Sequence, residues 1–406
     1  MAPDRERPES LRGLPLLVDL PDISGLSALV RTDFNVPLEE AEDGSTVVVD
    51  DFRIRMAVPT LKWLLDRGAS VTCCSHLGRP NGKPDPAYSM APVRERLALL
   101  CPGVTLMENL RFYPGEKSGD PRFVAQLVAD HDVYVNEAFG VAHRSHASVV
   151  GPPMTLMSAA GERLALEVET IGGLRDAAER PFVAIVGGAK VADKLGVLEA
   201  LAERVDVLAI GGGMAFTFLA AIGHDVGSSL VDTDHIEECR RLLKSHPEIL
   251  LPSDVVALEP GGSFGHACVN HGPRGDAKVI GRDIPHGWTG LDIGPDSIDA
   301  FTEAICGAKT VFWNGPVGAF EDDRFEEGTR RVAEAVAASP GFTVVGGGDS
   351  ASALDGLGLA GEVSFVSTGG GASLELLETG DLAALRALRS APNAPNAPNA
   401  PNAPRG

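Results

Sequence analysis

The chain has 406 residues, 44% of them hydrophobic and 22% charged, a composition typical of a globular protein too long for one ordinary core. Its net charge of −21 argues against general nucleic-acid binding and against binding to an anionic membrane surface. The N-terminus lacks an apolar signal core, no apolar run reaches about 18 residues, and the six cysteines form no C-x-x-C pair, so we expect a cytoplasmic protein with reduced thiols.

Short apolar runs alternate with helical stretches along the chain. The predicted strands are Ala28–Arg31, Ser70–Cys74, Val104–Met107 and Val133–Val135 in the first half, and Phe182–Val186, Val207–Ile210, Val255–Ala257, Val311–Trp313 and Phe342–Val345 in the second. Amphipathic helices such as Met56–Arg67 and Asp323–Ala338 separate them. This alternation predicts an α/β fold with two doubly wound, Rossmann-like parallel-sheet domains, whose ligands bind where the strands end.

The sequence also suggests where the domains divide. We expect an N-terminal domain over residues 1–170, a C-terminal domain over 180–380, and a helical hinge in Ser158–Glu179 that joins them. A helix at about 381–389 is expected to pack back on the N-terminal domain. Residues 390–406 contain four Ala-Pro-Asn repeats and are predicted to form a disordered tail, since this composition cannot build a core.

Polar and basic side chains follow the predicted strands of the first half. They are Asp33, Asn35, His76, Arg79, Arg111 and Arg144, with Arg53 just before the helix Met56–Arg67. Guanidinium groups match phosphate and carboxylate oxygens in pairs, so the set predicts a pocket for a small phosphorylated acid. A surface ion pair is the simpler interpretation of each arginine taken alone, whereas the whole set in an acidic chain favours the pocket. His143 and His146 have no neighbouring ligand spacing that supports zinc.

Glycine-rich turns follow the apolar runs of the second half. They are Gly187-Gly188, Gly211–Gly213, Gly346–Gly348 and Gly369–Gly371. Glycine lets the backbone approach a ligand closely, and four such turns predict a nucleotide site. Lys190 and Lys194 follow the first turn, where a helix start would add free N–H groups for a polyanion. The last turn leads into a predicted helix that would face a transferring phosphoryl group.

Two familiar nucleotide motifs do not apply. The chain has no G-x-x-x-x-G-K-[S/T], which excludes a Walker-type site. The G-x-G-x-x-G at Gly356–Gly361 follows the predicted short helix Ser350–Leu354 and leads towards the strand-like Val363–Val366, which is the wrong context for a dinucleotide fingerprint and disfavours a dehydrogenase. Asp349 could hold Mg²⁺ with nucleotide phosphates or could cap a helix, and Glu321 could bind ribose hydroxyls.

Taken together, these blocks resemble the phosphoglycerate kinase family over roughly residues 15 to 388. The matching segments, in family order, are Asp33–Pro37, Ser75–Pro80, Glu108–Phe112, Ala138–Gly140 with Ala142–Arg144, Gly187–Lys194, Gly211–Ala215, Trp313–Pro316, Gly346–Ser350 and Val366–Ser373. Three positions depart from the usual family pattern: Thr32, Phe52 and Glu137, the last where Asp is usual. None of them removes an expected ligand.

The resemblance implies reversible, Mg²⁺-dependent phosphoryl transfer between ATP and 3-phosphoglycerate, as in glycolysis and gluconeogenesis. The implied acid-binding residues are Asp33, Asn35, Arg53, His76, Leu77, Gly78, Arg79, Arg111 and Arg144. The implied nucleotide-binding residues are Lys194, Gly290, Glu321, Gly347, Gly348, Asp349 and Ser350, with Asp349 as the metal ligand. The implied catalytic residues are Arg53, Lys190, Gly369 and Gly370. A monomer acting on small molecules is expected.

The acceptor oxygen of such a substrate is already ionised at neutral pH, so no general base is required. Catalysis would then depend on alignment and on charge neutralisation after the hinge has closed. The alternative is a non-catalytic nucleotide-binding scaffold of the same fold. A scaffold would be expected to have lost Lys190, Lys194 or Asp349, and the sequence retains all three.

Overall fold

The computed structural model describes residues 7–41, 44–264 and 274–395, and structural statements below refer to these residues. The chain forms two compact units, one made of Met1–Gly173 with Thr379–Gly406 and the other of Leu174–Glu378. No helix in the described part of the chain is both long enough and apolar enough to cross a membrane.

The first unit is built on a five-stranded parallel sheet. In chain order its elements are β1 (Ser27–Arg31), β2 (Leu38–Glu40), β3 (Thr46–Val48), α1 (Phe52–Asp66), β4 (Ser70–Cys74), α2 (Ala91–Leu100), β5 (Val104–Leu106), α3 (Pro114–Ser118), α4 (Pro121–Val128), β6 (Val133–Asn136), α5 (Ala147–Val150), β7 (Met157–Ala160) and α6 (Glu162–Ala177). The sheet order is β5-β4-β1-β6-β7, and β2 and β3 form a separate antiparallel pair. β1 lies at the centre, where Val30 pairs with Cys73 on one side and Val135 on the other.

The second unit contains a six-stranded parallel sheet and a three-stranded antiparallel sheet. Its elements are β8 (Phe182–Val186), α7 (Leu195–Ala202), β9 (Val207–Ile210), α8 (Met214–Ala221), α9 (Ile236–Ser245), β10 (Ile249–Leu250), β11 (Asp254–Leu258), β12 (Ala277–Gly281), β13 (Thr289–Ile293), α10 (Pro295–Cys306), β14 (Thr310–Asn314), α11 (Glu327–Ala338), β15 (Phe342–Gly346), α12 (Gly348–Gly356), β16 (Phe365–Val366) and α13 (Gly370–Thr379). The orders are β10-β9-β8-β14-β15-β16 and β12-β11-β13. Every residue of β8 and β14 is buried, as expected for strands covered on both faces.

The C-terminal segment belongs to the first unit. Helix α14 (Ala383–Arg389) begins where the backbone N–H of Ala384 donates to the carbonyl of Ala142 at 2.8 Å. After it, Ala391 and Ala394 are completely buried. The side-chain amide of Asn393 pairs with the backbone of Ser158, accepting from its N–H at 2.8 Å and donating to its carbonyl at 3.0 Å.

The predicted disorder from Ser390 onwards is therefore wrong for residues 390–395. An asparagine side chain carries the same donor and acceptor as a peptide group, so Asn393 can pair with the edge strand β7 as a neighbouring strand would. Composition alone could not reveal this pairing. The rest of the predicted tail, residues 396–406, lies outside the described residues.

The parallel α/β fold and the predicted strands are confirmed, with three local corrections. Ser158–Ala160, expected within the helical hinge, belongs to strand β7, because pairing with β6 overrides the helical preference of the alanines. Val255–Ala257 lies in the antiparallel sheet, since a short apolar run does not specify its partner. Arg53 lies in the first turn of α1 and does not precede the helix.

Candidate functional site

The polar side chains predicted after the strands of the first unit follow the carboxyl ends of four adjacent strands. β5, β4, β1 and β6 are neighbours in the parallel sheet, so the loops after them open at the same edge. Asp33 follows β1 and His76 follows β4, and Arg53 reaches Asp33 from the first turn of α1. We use the name acid half-site for all the residues predicted to bind the acid, which are Asp33, Asn35, Arg53, His76, Leu77, Gly78, Arg79, Arg111 and Arg144.

Asp33 is the centre of the acid half-site. Its Oδ2 accepts a hydrogen bond from Arg53 Nη1 at 2.6 Å, and its side chain is almost fully buried. Burial alone would raise the pKa of Asp33, but the surrounding positive charge, that of Arg53 first, and a hydrogen bond from the Asn35 backbone hold the pKa below its ordinary value. Asp33 is therefore an ionised acceptor that balances part of the positive charge around it.

His76 is held as a neutral ring. Burial, followed by the charges of Arg31, Arg111 and Arg53, lowers the pKa of His76 well below its ordinary value, although Asp33 acts in the opposite direction. Its Nδ1 lies 3.8 Å from Asp33 Oδ1, which is too far for a hydrogen bond, and 3.3 Å from Arg31 Nη2. The Asp33–His76 contact is thus not an ion pair at neutral pH.

The loop Leu77-Gly78-Arg79 is fixed by its backbone. Gly78 donates its N–H to Asn35 Oδ1 at 2.8 Å, and its carbonyl accepts from Arg111 Nη1 at 2.6 Å. Gly78 has a φ of +57°, and an added Cβ would lie 2.2 Å from the Tyr88 ring, so only glycine fits here. Leu77 is buried and Arg79 is exposed, which leaves the Arg79 guanidinium available to a ligand.

The arginines of the acid half-site carry unbalanced positive charge. Burial first, and then the charges of Arg144 and Arg31, lower the pKa of Arg111 to about 10. The buried Nε of Arg111 has no hydrogen-bond partner among the described residues, and Arg144 donates from Nε only to His143 Nε2, at 3.3 Å. Guanidinium donors without protein acceptors fit an anionic ligand with several oxygens.

The second group of predicted residues surrounds the turn after β8, and we call it the nucleotide half-site. Helix α7 begins at Leu195, so the predicted helix start lies after both lysines and not at the glycine turn. Lys194 is the residue before the helix and points back to the turn, where Nζ donates to the Gly187 carbonyl at 2.7 Å and to Asn314 Oδ1 at 3.0 Å. Lys190 is exposed, and no recorded hydrogen bond or ion pair joins it to another described residue.

Glycines of the nucleotide half-site allow three loops to interlock. A Cβ on Gly187 would lie 1.9 Å from the Pro316 carbonyl oxygen, and one on Gly315 would lie 2.4 Å from the Gly187 carbonyl oxygen. A Cβ on Gly212 would meet the backbone N of Gly188 at 2.8 Å. Because the obstacles are backbone atoms that cannot rotate away, no side chain is tolerated at these positions without moving a loop.

Asn314, at the end of β14, joins the lysine to the two remaining glycine turns. Its Oδ1 accepts from Lys194, whereas its buried Nδ2 has no hydrogen-bond partner within the described chain. A Cβ on Gly347 or Gly370 would lie 3.5 or 3.6 Å from Asn314 Nδ2, and one on Gly370 would also lie 2.5 Å from the Cα of Gly347. An unpaired amide donor between two glycine turns is suited to an oxygen of a polyphosphate.

Asp349 and Ser350 lie in the first turn of α12 but differ in their surroundings. Ser350 is buried and its Oγ accepts from the Gly315 N–H at 2.6 Å, so this hydroxyl ties two loops together. Asp349 is exposed. No group of three or more metal-binding side chains occurs among the residues that the structure describes. A single exposed carboxylate suits Mg²⁺ that takes its other oxygens from phosphates and water.

The ionisation of Lys194 depends on these surroundings. Burial lowers the pKa of Lys194 to about 8, although the charges of Asp349 and Asp193 act in the opposite direction. The ammonium group is therefore close to losing its proton at mildly alkaline pH. A polyphosphate bound beside it would restore the charged form.

Gly290 and Glu321 are the two remaining predicted nucleotide-binding residues. Gly290 belongs to β13 of the antiparallel sheet, where its N–H donates to Ser229 Oγ at 2.8 Å and a Cβ would lie 2.4 Å from the Phe216 ring. Glu321 is exposed. No hydrogen bond recorded within the described chain joins either residue to Lys194 or Asn314.

Three buried polar residues near the half-sites were not predicted as functional: Arg31, Asn314 and Glu137. Arg31 ends the apolar strand β1, and a charge inside an apolar run was the available signal. Glu137, noted only as a departure, accepts from Thr60 Oγ1 at 2.8 Å and from the Arg163 N–H at 3.0 Å, and so caps α6. Burial raises the pKa of Glu137 to about 7.

Comparison with known proteins identifies similar sequences. The family model described as phosphoglycerate kinase matches residues 17–105 and 98–380. Phosphoglycerate kinase from Rubrobacter xylanophilus is 47% identical over 385 residues (89% of this chain and 95% of that protein), and the one from Parafrankia sp. is 46% identical over 403 residues (91% and 98%).

Solved structures give the same result. Phosphoglycerate kinase from Coxiella burnetii has a TM-score of 0.78 at 32% identity, covering 92% of this chain and 98% of its own. The enzyme from Pyrococcus horikoshii has a TM-score of 0.77 at 26% identity, covering 93% and 98%. Both the sequence and the fold of this chain are thus similar to those of one family over almost their whole length.

Proposed function

The chain belongs to the phosphoglycerate kinase family, whose members are phosphotransferases, and on that premise we propose how its two half-sites divide the reaction. The acid half-site binds 3-phosphoglycerate or 1,3-bisphosphoglycerate, and the nucleotide half-site binds ATP or ADP with Mg²⁺. The observation that carries the proposal is the pair of unsatisfied donors, Arg111 Nε in one half-site and Asn314 Nδ2 in the other. Each lies among groups that suit an anionic ligand.

In the acid half-site we assign the binding of 3-phosphoglycerate by charge and by hydrogen-bonding type. Arg79, Arg111 and Arg144 bind the phosphate, because guanidinium groups match phosphate oxygens in pairs. Asp33 and Asn35 accept from and donate to the substrate hydroxyl, and His76 donates from the ring nitrogen that Arg31 leaves free. The residues predicted from the sequence to bind the acid substrate, including Leu77 and Gly78, thus form one binding surface.

In the nucleotide half-site, the backbone contributes most of the binding. The glycine turns Gly347-Gly348 and Gly369-Gly370 present N–H groups to the phosphates, and Lys194 adds one positive charge. Asp349 holds Mg²⁺ together with phosphate oxygens, and the bound metal supplies charge neutralisation. Glu321 and Gly290 are assigned to the nucleoside end, where a carboxylate can bind ribose hydroxyls.

The chemical step moves one phosphoryl group. The bond between the γ-phosphorus of ATP and its bridging oxygen breaks, and a bond from that phosphorus to a carboxylate oxygen of 3-phosphoglycerate forms. The attacking oxygen carries no proton at neutral pH, so none of the residues needs to act as a general base. Lys190 and Arg53 neutralise the charge on the transferring group, and the Gly369-Gly370 turn donates backbone N–H groups to it.

Transfer requires the donor and the acceptor to meet, so we propose that substrate binding brings the two units together by bending at the hinge that contains α6. In-line transfer needs reacting atoms within about 3–3.5 Å of each other and exclusion of water. Small-angle X-ray scattering with neither, either or both substrates measures this directly. A radius of gyration that stays constant in the ternary complex would contradict the closing motion.

The same proposal includes a monomer in the cytoplasm that acts on small molecules. The net charge of −21 disfavours a nucleic-acid or membrane partner. Membership of the family favours the cytoplasm. A non-catalytic scaffold is disfavoured, because Lys190, Lys194 and Asp349 are all present.

The proposed reaction is tested by a coupled assay of ATP and 3-phosphoglycerate with and without Mg²⁺. We expect turnover that depends on both substrates and on Mg²⁺. Binding of ATP without any turnover, in protein shown to be folded, would favour the scaffold instead.

A further inference from the structure

A chain of buried polar groups lies behind the acid half-site and has no part in the proposed chemical step. It joins Glu116 of α3, Ser148 of α5 and Arg31 of β1, and all three residues have none of their surface exposed. Ionised groups are costly to bury unless they are paired and hydrogen-bonded. Burying an acid and a base here therefore needs a reason other than core packing.

Ser148 connects the two charges. It donates from Oγ to Glu116 Oε1 at 2.7 Å and from its backbone N–H to Glu116 Oε2 at 3.0 Å. The same Oγ accepts from Arg31 Nε at 2.9 Å, and Tyr134 donates to the Ser148 carbonyl at 2.8 Å. A hydroxyl can donate and accept at once, so the carboxylate orients the hydroxyl and the hydroxyl orients the guanidinium.

The other end of the Arg31 guanidinium points to the acid half-site. Its Nη1 donates to the Thr32 carbonyl, and its Nη2 lies 3.3 Å from His76 Nδ1. A guanidinium can only donate, so Nδ1 must accept, which assigns the proton of the neutral ring to Nε2. The other charged groups around His76 are Asp33, Arg53 and Arg111.

We propose that Glu116 and Ser148 are positioning residues for the acid substrate, acting through Arg31 to hold His76 as a neutral ring that donates from Nε2. Neither side chain can touch a ligand, because both are fully buried. The inference rests on the proposed function only in naming 3-phosphoglycerate as the ligand that senses His76. The whole chain of contacts lies within the first unit, so nucleotide binding should not depend on it.

Replacing Ser148 by alanine separates this role from general packing. Ser148→Ala removes the connecting hydroxyl and leaves both charges in place. A hydrogen bond to a charged group contributes more free energy than one between neutral groups. We therefore expect its loss to weaken 3-phosphoglycerate binding about tenfold. Isothermal titration calorimetry should show this loss together with an unchanged affinity for MgATP. The matched control is Ser118→Ala in α3, whose exposed hydroxyl bonds only to backbone carbonyls, and both affinities should remain those of the wild type.

A double-mutant cycle tests whether the effect passes through His76. In a His76→Gln background, Ser148→Ala should cost much less than in the wild type, because the path that it breaks no longer ends at an imidazole. An equal loss in both backgrounds would overturn the proposal. So would wild-type affinity for 3-phosphoglycerate in both Ser148→Ala and Glu116→Gln, with thermal unfolding showing that both variants are folded.

The ring tautomer gives a readout that needs no substrate. Nitrogen chemical shifts of His76 should show the Nε2–H form in the wild type and a mixture of tautomers in Glu116→Gln, in which an amide N–H₂ faces one of the Ser148 donors. An unchanged tautomer in that variant would contradict the proposal. Should wild-type protein fail to bind 3-phosphoglycerate, the proposed function fails, while the tautomer measurement still decides this inference.

Discussion

The two proposed half-sites would bind anionic ligands in opposite ways. The acid half-site uses charged side chains whose positions are fixed by other side chains, as Arg53 is by Asp33 at 2.6 Å. The nucleotide half-site uses backbone turns that approach so closely that a Cβ on Gly187 would lie 1.9 Å from a carbonyl oxygen. The first should therefore be sensitive to loss of charge and the second to added volume.

Lys190 is the exception that could break this contrast, because it is a charge in the backbone-dominated half-site. It is exposed and has no recorded hydrogen bond or ion pair with another described residue, so its ammonium group is free for the role proposed for it in phosphoryl transfer. Removing one donor that stabilises transition-state charge typically costs about 10²–10³ in kcat, and we expect that loss in Lys190→Ala. Steady-state kinetics measure it, with the exposed Lys309→Ala as control. A kcat within a few-fold of the wild type would remove Lys190 from the catalytic group.

Gly187→Ala sharpens the contrast from the other side, because it adds volume without changing charge. The new methyl group meets the backbone of Pro316, and overpacking of this kind typically costs about 1–3 kcal/mol of unfolding free energy. We expect lower stability in chemical denaturation together with weaker MgATP binding. Gly361→Ala is the matched control, since a Cβ there meets nothing within 4 Å. Wild-type stability and MgATP affinity in Gly187→Ala would contradict the interlocked turns.

Lys194 should give a smaller effect that depends on pH. Its pKa is lowered to about 8 by burial, so the free protein loses this positive charge as the pH rises through that value. Affinity for ATP should therefore be full below about pH 8 and decline above it. Lys194→Arg should flatten the decline, because a guanidinium remains charged throughout. Titrations of both proteins with the same nucleotide, about one pH unit on either side of 8, cancel the ionisation of ATP itself. Parallel declines in the two proteins would contradict the assignment.

Much of the architecture could be predicted because parallel strands buried on both faces leave continuous apolar runs. β8 matches its predicted range residue for residue, since Phe182–Val186 is apolar throughout and is followed by glycine. Strand β7 was missed because Ser158–Ala160 are small residues without a strand signature, and only pairing with β6 makes them a strand. The pairing of Asn393 with Ser158 was missed for the same reason, because a long-range contact has no local signal.

The sequence could predict that polar residues gather at the strand ends, but not how their side chains connect. Asp33 and His76 were found because polar residues at strand ends are conspicuous. The connection of His76 to Arg31, and through it to Ser148 and Glu116, arises from contacts between residues up to 117 positions apart. Periodicity and composition carry no information about such contacts.

The claim that one half-site binds the acid and the other binds the nucleotide is tested most directly by calorimetric titration. 3-Phosphoglycerate and MgATP are titrated separately into Arg144→Ala and Lys194→Ala. We predict that Arg144→Ala loses affinity for 3-phosphoglycerate and keeps that for MgATP, and that Lys194→Ala does the reverse. Each loss should be about tenfold, as expected for one charged hydrogen bond. Comparable weakening of both ligands in either variant, with both proteins folded, would contradict two separate half-sites.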